Sequence, residues 1–181
     1  MTETLQAFLF RSMATNRLLG VNDEPDLSLA QRTIDSFSRE AREQAAAMGR
    51  VYELLYCLEN SIRELIETTL KEDLGQDWWV NGVGPSIRKG AEKRADDDKR
   101  ARWHGPRGDS LLVYVDFPQY GDIILSQWSL FEPVLGDQDW VTAYFAELNR
   151  TRRALAHTGR LTEADVERMD VRVRDWLRVV G

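Results

Sequence analysis

The chain has 181 residues, with 24 Lys plus Arg against 30 Asp plus Glu and a net charge of −6. That length allows one sizeable core with an extension; the single Cys57 excludes an internal disulfide framework, and one Cys with His104 and His157 cannot supply a zinc-finger ligand set. The apolar runs fall short of the ~20 residues of a membrane helix and the acidic start does not read as a cleaved signal peptide, so a soluble, cytoplasmic protein without membrane, metal or cofactor is expected, and its acidity argues against indiscriminate coating of nucleic acid.

Residues 1–26 read as an arm, with a short helix at Leu5–Leu19 that packs on the body or on a partner. Ala30, Ile34, Phe37, Ala41, Ala45 and Met48 recur at helical spacing, with Asp26 and Ser28 as caps and Gly49 as an interruption. Residues 1–48 are thus expected to form an arm and a helix, and residues 49–181 the main domain. A stronger stripe follows in Val51, Leu54, Leu55, Leu58, Ile62, Leu65, Ile66 and Leu70, predicting a helix to about Gly75. Gly75, Gly82, Gly84, Pro85 and Gly90 carry loop chemistry. Residues 91–107 are almost continuously charged, and Leu111–Val115 reads as a short strand or an apolar plug. Together these mark a charged insertion at about 75–118. Tyr120, Ile123, Ile124, Trp128 and Phe131 predict one helix that stops near Pro133 and Gly136. Trp140, Tyr144, Phe145 and Leu148 open another, capped by Asp137 or Asp139 and ended by Gly159. Thr162 to Asp165 form a capping box for the last helix, whose inner face is Val166, Met169, Val173, Trp176 and Val180. The architecture expected is an all-α bundle with a long insertion between its middle helices.

The candidate chemistry lies near the end of the penultimate helix. Arg152 continues the four-residue stripe of Trp140, Tyr144 and Leu148, and a guanidinium on a packed face needs a reason, because burial of an unpaired charge is costly. His157 stands five residues later, about 140° round an ideal helix, so the two diverge unless the helix unwinds first or two copies meet across a two-fold axis. Asn149, Arg153 and His157 share a second line. Arg150, Arg152, Arg153 and Arg160 place four cations in eleven residues that contain no acid, a composition suited to phosphate. The plain alternative is that His157 and the arginines complement the negative end of the helix dipole. His104 reads as an exposed loop residue. Glu59 and Arg63, one helical turn apart, read either as a plain i,i+4 pair or as a brace for the Arg152 helix. Trp78 and Trp79 either stack bases or pin the core. Arg88–Arg107, with eight basic and four acidic residues, is either a solvated face or a track for an RNA backbone.

Arg152-x4-His157 at the end of a helix, preceded by Leu148-Asn149, resembles the R-x(4–6)-H motif of the HEPN (higher eukaryotes and prokaryotes nucleotide-binding) superfamily. Tyr52, Glu59, Arg63, Trp78-Trp79, Leu112–Phe117 and Trp128 resemble, in order and spacing, the subfamily that also forms the terminal domain of a nuclear PIN-domain endoribonuclease. The resemblance implies a dimerising helical bundle and a metal-independent endoribonuclease that cuts RNA through its 2′-hydroxyl. His157 would then be general acid or base and Arg152 the phosphate ligand, with Arg153, Asn149 and Arg150 supporting RNA contact. A toxin or antiviral defence role, with an antitoxin or complex partner, follows from the resemblance alone. Arg153 stands where the family usually has Asn or Asp, and Gly159 where some family toxins carry a modified Tyr. The alternative is a catalytically inert HEPN module for nucleotide or RNA binding, or for dimerisation in a larger complex. A homodimer is expected to use the apolar stripe around Trp140, Tyr144 and Leu148.

Overall fold

The computed structural model describes residues 33–101, 105 and 107–181, and among these it is all-α, with no strand. The expected arm and helix over 5–19, the caps Asp26 and Ser28, and His104 lie outside the described residues. Its elements are α1 (Arg39–Leu74), a 3-10 turn at Gly75–Asp77, α2 (Trp78–Gly82), α3 (Pro85–Arg100), a 3-10 turn at Leu111–Tyr114, α4 (Phe117–Ser126), α5 (Trp128–Leu135), α6 (Gln138–Ala156) and α7 (Glu163–Val180). None of the described helices is long and apolar enough to cross a membrane. By its internal contacts Gln44–Gly181 forms one compact unit, distinct from the residues before it.

Four local expectations are corrected. Gly49 does not interrupt a helix, because α1 runs through it without a break. A helical glycine costs about 1 kcal/mol, and the buried row Val51, Leu55, Leu58, Ile62, Ile66 and Leu70 outweighs that. Upstream, Ile34 and Phe37 are exposed rather than part of a buried stripe. The helix starts only at Arg39, where the Ser38 hydroxyl accepts from the Ala41 amide. The expected loop and charge run contains α3, which begins with Pro85 at its first turn and buries Ala91 and Ala95. Tyr120 to Phe131 is two helices, α4 and α5, parted at Gln127, and Pro133 sits inside α5 while Gly136, at φ 71°, ends it.

Leu111–Tyr114 resolves as the plug and not the strand: Leu112, Tyr114 and Val115 are buried, and the Ser110 hydroxyl accepts from the Leu112 amide. Trp78 is likewise a core residue, set edge-on to Trp79. Trp79 is partly buried against the core and donates its indole N–H to Glu92.

The aromatic centre decides how the long helices pack. Tyr144 of α6 stacks on Trp140 at 4.7 Å and on Trp176 of α7 at 5.8 Å. Trp176 is 0% exposed and donates its indole N–H to Ser61 of α1 at 3.0 Å, while the Tyr144 hydroxyl donates to the Arg172 carbonyl at 2.9 Å. Burial raises the Tyr144 hydroxyl well above the ordinary tyrosine range, so it remains a donor. Since Tyr144 and Leu148 are buried within the chain, the stripe expected to pair two copies is already in use.

Helix α4 approaches α6 most closely where Gly121 faces Phe145; a methyl at Gly121 would meet the ring at 3.2 Å. Gly121→Ala is therefore expected to overpack this contact and destabilise the domain by about 1–3 kcal/mol. Urea unfolding followed by circular dichroism measures the loss.

Candidate functional site

Glu59 and Arg63 share one face of α1, and Arg152 comes from near the end of α6, 93 residues from Glu59. Arg152 Nε donates to Glu59 Oε1 at 2.8 Å, and Arg63 Nη2 donates to Glu59 Oε2 at 2.7 Å. One carboxylate, 13% exposed, thus receives two guanidinium groups. Arg63 spends its remaining donors on the same wall, Nε on the Tyr120 hydroxyl at 2.7 Å and Nη1 on Asn60 Oδ1 at 2.9 Å. The Tyr120 hydroxyl then donates to the Leu112 carbonyl at 2.9 Å. Burial raises the Tyr120 pKa above the ordinary tyrosine value, with Arg63 pulling the other way, so this hydroxyl stays protonated and can act as donor. The Asn60 amide closes the set by donating to the Tyr56 carbonyl at 2.8 Å.

Arg152 differs from Arg63 in what it leaves free. Its side chain is 38% exposed, and only Nε is engaged. Both terminal amino groups are therefore available as a two-pronged donor, the geometry that suits a phosphate or carboxylate. They open on a cleft of about 320 Å³ whose walls include Tyr52, Tyr56, Val113 and Leu155. Arg107 stands at its edge, held by two bonds to the Asp98 carboxylate at 2.6 and 3.1 Å and lying over the Tyr114 ring.

His157 is placed elsewhere. Helix α6 ends at Ala156, and His157 caps it. The Thr158 amide donates to the Leu155 carbonyl and the Gly159 amide to the Ala154 carbonyl, the paired bonds of a Schellman ending. Thr158 takes the left-handed position, φ 54°, that glycine usually fills. His157 is exposed and does not line the cleft. Arg153 is exposed next to it, Asn149 is half-buried, and Arg150 turns to a second groove of about 600 Å³ between α6 and the start of α7, shared with Arg160 and Arg168. Arg168 faces Glu147 and Asp165 there, while Arg150, Arg153 and Arg160 take no acidic partner within the described residues. One chain therefore brings together Glu59, Arg63 and Arg152, and leaves Asn149, Arg150, Arg153 and His157 outside that cluster. Tyr120, Asn60 and Arg107 were not legible as parts of it. The charge run that contains Arg107 carries no signal for its position, and Tyr120 reads only as one more apolar residue of a helical stripe.

The charged residues of the insertion are mostly spent on structure. Arg94 donates to the Tyr114 carbonyl at 2.6 Å and pairs with Asp116, Arg88 donates to the Val83 carbonyl, and Lys99 and Arg100 pair with Asp96 and Asp97 on their own helix. Among the described residues no group of three or more His, Cys, Asp or Glu is arranged to hold a metal ion.

The domain thus has an internal carboxylate that orients an arginine near the end of a long helix, with an exposed histidine just past that end. The family model described as Swt1-like HEPN matches residues 53–181, and the chain belongs to that family. No curated protein and no solved structure matches it.

Two substitutions test the local physics. Glu59→Gln leaves two guanidinium groups around a neutral amide and is expected to cost about 2 kcal/mol, between the value of an exposed pair and that of a fully buried one. Denaturant titration measures it, and the loss should shrink when Arg152 is also replaced. Thr158→Gly removes the steric cost of the left-handed conformation and should stabilise the chain by up to about 1 kcal/mol. A calorimetric scan showing a higher melting temperature with unchanged helix content is the expected result.

Proposed function

We propose that the chain is a metal-independent endoribonuclease of HEPN type, acting as a homodimer on RNA. The observation that carries the reading is Arg152, held by Glu59 through Nε with both terminal amino groups free at a cleft, five residues before an exposed His157. In this reading Arg152 takes the scissile phosphate and offsets the charge that grows on its oxygens in the transition state. His157 takes the proton from the ribose 2′-hydroxyl or supplies one to the leaving 5′-oxygen. The 2′-oxygen forms the new bond to phosphorus as the bond to the 5′-oxygen breaks, leaving a 2′,3′-cyclic phosphate and a 5′-hydroxyl. Because His157 does not line the cleft that Arg152 opens on, the reaction in this reading uses His157 of a second copy across a shared cleft. The contact between copies lies outside the Trp140–Leu148 stripe, where Tyr144 and Leu148 are buried within one chain. Arg153 and Arg150, without acidic partners, supply further phosphate contact, and Asn149 lies beside them. A role as a toxin or defence nuclease in the cytoplasm, restrained by an antitoxin or complex partner, is consistent with this activity.

The second reading, an inert HEPN module that binds nucleotide or RNA or mediates dimerisation, is favoured by one observation: His157 does not line the cleft that Arg152 opens on. Incubation of the purified protein with RNA in EDTA separates the two. Cleavage in EDTA with cyclic-phosphate ends is the expected outcome. His157→Ala should reduce the rate by ~10²–10⁴ with the fold intact. Arg152→Ala should lose a comparable factor and also some stability, because Glu59 loses one of its two cations. An intact RNA after long incubation, or His157→Ala cutting at the wild-type rate, would discard the nuclease assignment.

A further inference from the structure

Tyr52 and Tyr56 stand one turn apart on α1, each 59% exposed, although both rings line the cleft that Arg152 opens on. Large aromatic side chains left so open beside a cation have faces available for a flat ligand. Their centroids are 6.2 Å apart and the rings are tilted by 41°. A base held between two rings needs about 7 Å between parallel planes, twice a carbon–carbon contact of about 3.5 Å. The pair therefore cannot sandwich a base, and each ring offers one outward face. The cleft's charged lining is three arginines, Arg63, Arg107 and Arg152, against one carboxylate, Glu59. Glu59 already receives Arg63 and Arg152, and the Asn60 amide is held between Arg63 and the Tyr56 carbonyl. What the cleft presents most openly to a ligand is thus aromatic face, with its two phenol hydroxyls, and the free end of the Arg152 guanidinium.

We infer that this cleft binds an unpaired nucleotide of single-stranded RNA, its base stacked on Tyr52 or Tyr56 and its phosphate on the terminal amino groups of Arg152. The inference rests on the reading of the chain as an RNA-acting HEPN domain, and it deepens that reading by assigning Tyr52 and Tyr56 the task of holding the base beside Arg152. Stacking on an aromatic side chain requires a base free of its duplex partner, and it tolerates any base because each has a π-face. The about 320 Å³ of the cleft is at the small end of ligand sites and matches one nucleotide rather than a helix. The alternative occupant of the tyrosine face is a second copy of the chain.

The test pairs protein variants with modified strands. Wild type, the double variant Tyr52→Leu/Tyr56→Leu and the double variant Tyr52→Phe/Tyr56→Phe are titrated with a labelled single-stranded RNA decamer. The same decamer with abasic sites and a perfectly paired duplex of equal length complete the set. Binding is followed by anisotropy across a salt series, with His157→Ala in every protein so that the strand survives. The expected result is at least about 10-fold weaker binding of the decamer by the Leu variant, near-normal binding by the Phe variant, and a salt slope shared by all three. The abasic strand should bind wild type and Leu variant equally weakly, and the duplex should bind weakly throughout. Equal decamer affinity in wild type and Leu variant overturns the inference, as does an equal loss on the abasic strand. A Leu variant that sediments as monomer where wild type sediments as dimer also overturns it, assigning the tyrosines to contact between copies. Cleavage is measured separately with an intact His157. Tyrosine-dependent binding without cleavage removes the nuclease assignment and keeps the stacking site, whereas His157-dependent cleavage with indifferent tyrosines does the reverse.

Discussion

Glu59 is the point on which the polar organisation of this domain turns. A carboxylate 13% exposed loses most of its water, and a lone negative charge there would be costly. The chain answers with two guanidinium groups, one from the same helix and one from α6, so that each carboxylate oxygen is satisfied separately. Everything nearby follows from that division. Arg63, held by Glu59, is free to reach Tyr120 and Asn60, and through Tyr120 the network touches the carbonyl of Leu112 in the apolar plug. Arg152, held only through Nε, keeps its terminal amino groups for a ligand. A guanidinium oriented in advance needs less ordering when an anion arrives than one that moves freely.

The second constraint is the way α6 stops. Its last carbonyls are satisfied by the amides of Thr158 and Gly159, which turns the chain sharply and sets His157 at the cap. Thr158 holds a backbone conformation that a β-branched residue adopts at a cost. Strain of this kind persists only where neighbouring contacts over-determine it. Here Leu161, buried with Val51, Leu55 and Met169, anchors the chain just beyond the turn. The arginine therefore lines a cleft while the histidine is exposed at the cap and outside that lining, which is the reason a second copy enters the proposed chemistry.

The long helices were legible because their signals are periodic and strong. The buried row from Val51 to Leu70, the Asp137 cap and the Thr162–Asp165 capping box are local patterns, and the structure has each of them. The apolar positions of α7 likewise face the core, with Met169 and Trp176 buried. Helix α3 was hidden because it buries two alanines, Ala91 and Ala95, under a charged surface, and small residues leave a faint apolar period. The break at Gln127 was hidden for the opposite reason: the apolar pattern continues across it from α4 into α5.

From the sequence alone came the all-α class, the placement of Arg152 in line with an apolar stripe and the oddity of a guanidinium there. These depend on spacing along one helix, and spacing is written in the chain. Which charge meets Arg152 is a different matter, since Glu59 lies 93 residues away and pairs first with Arg63 by its own local spacing. Only the packing of α6 against α1 could bring the second guanidinium to the same carboxylate. Tertiary structure likewise decided that the aromatic stripe of α6 is consumed by Trp176 rather than offered to a partner. It also decided that Arg152 lines the cleft while His157, exposed at the cap, does not, because the direction of a side chain past a helix end depends on where the turn is anchored.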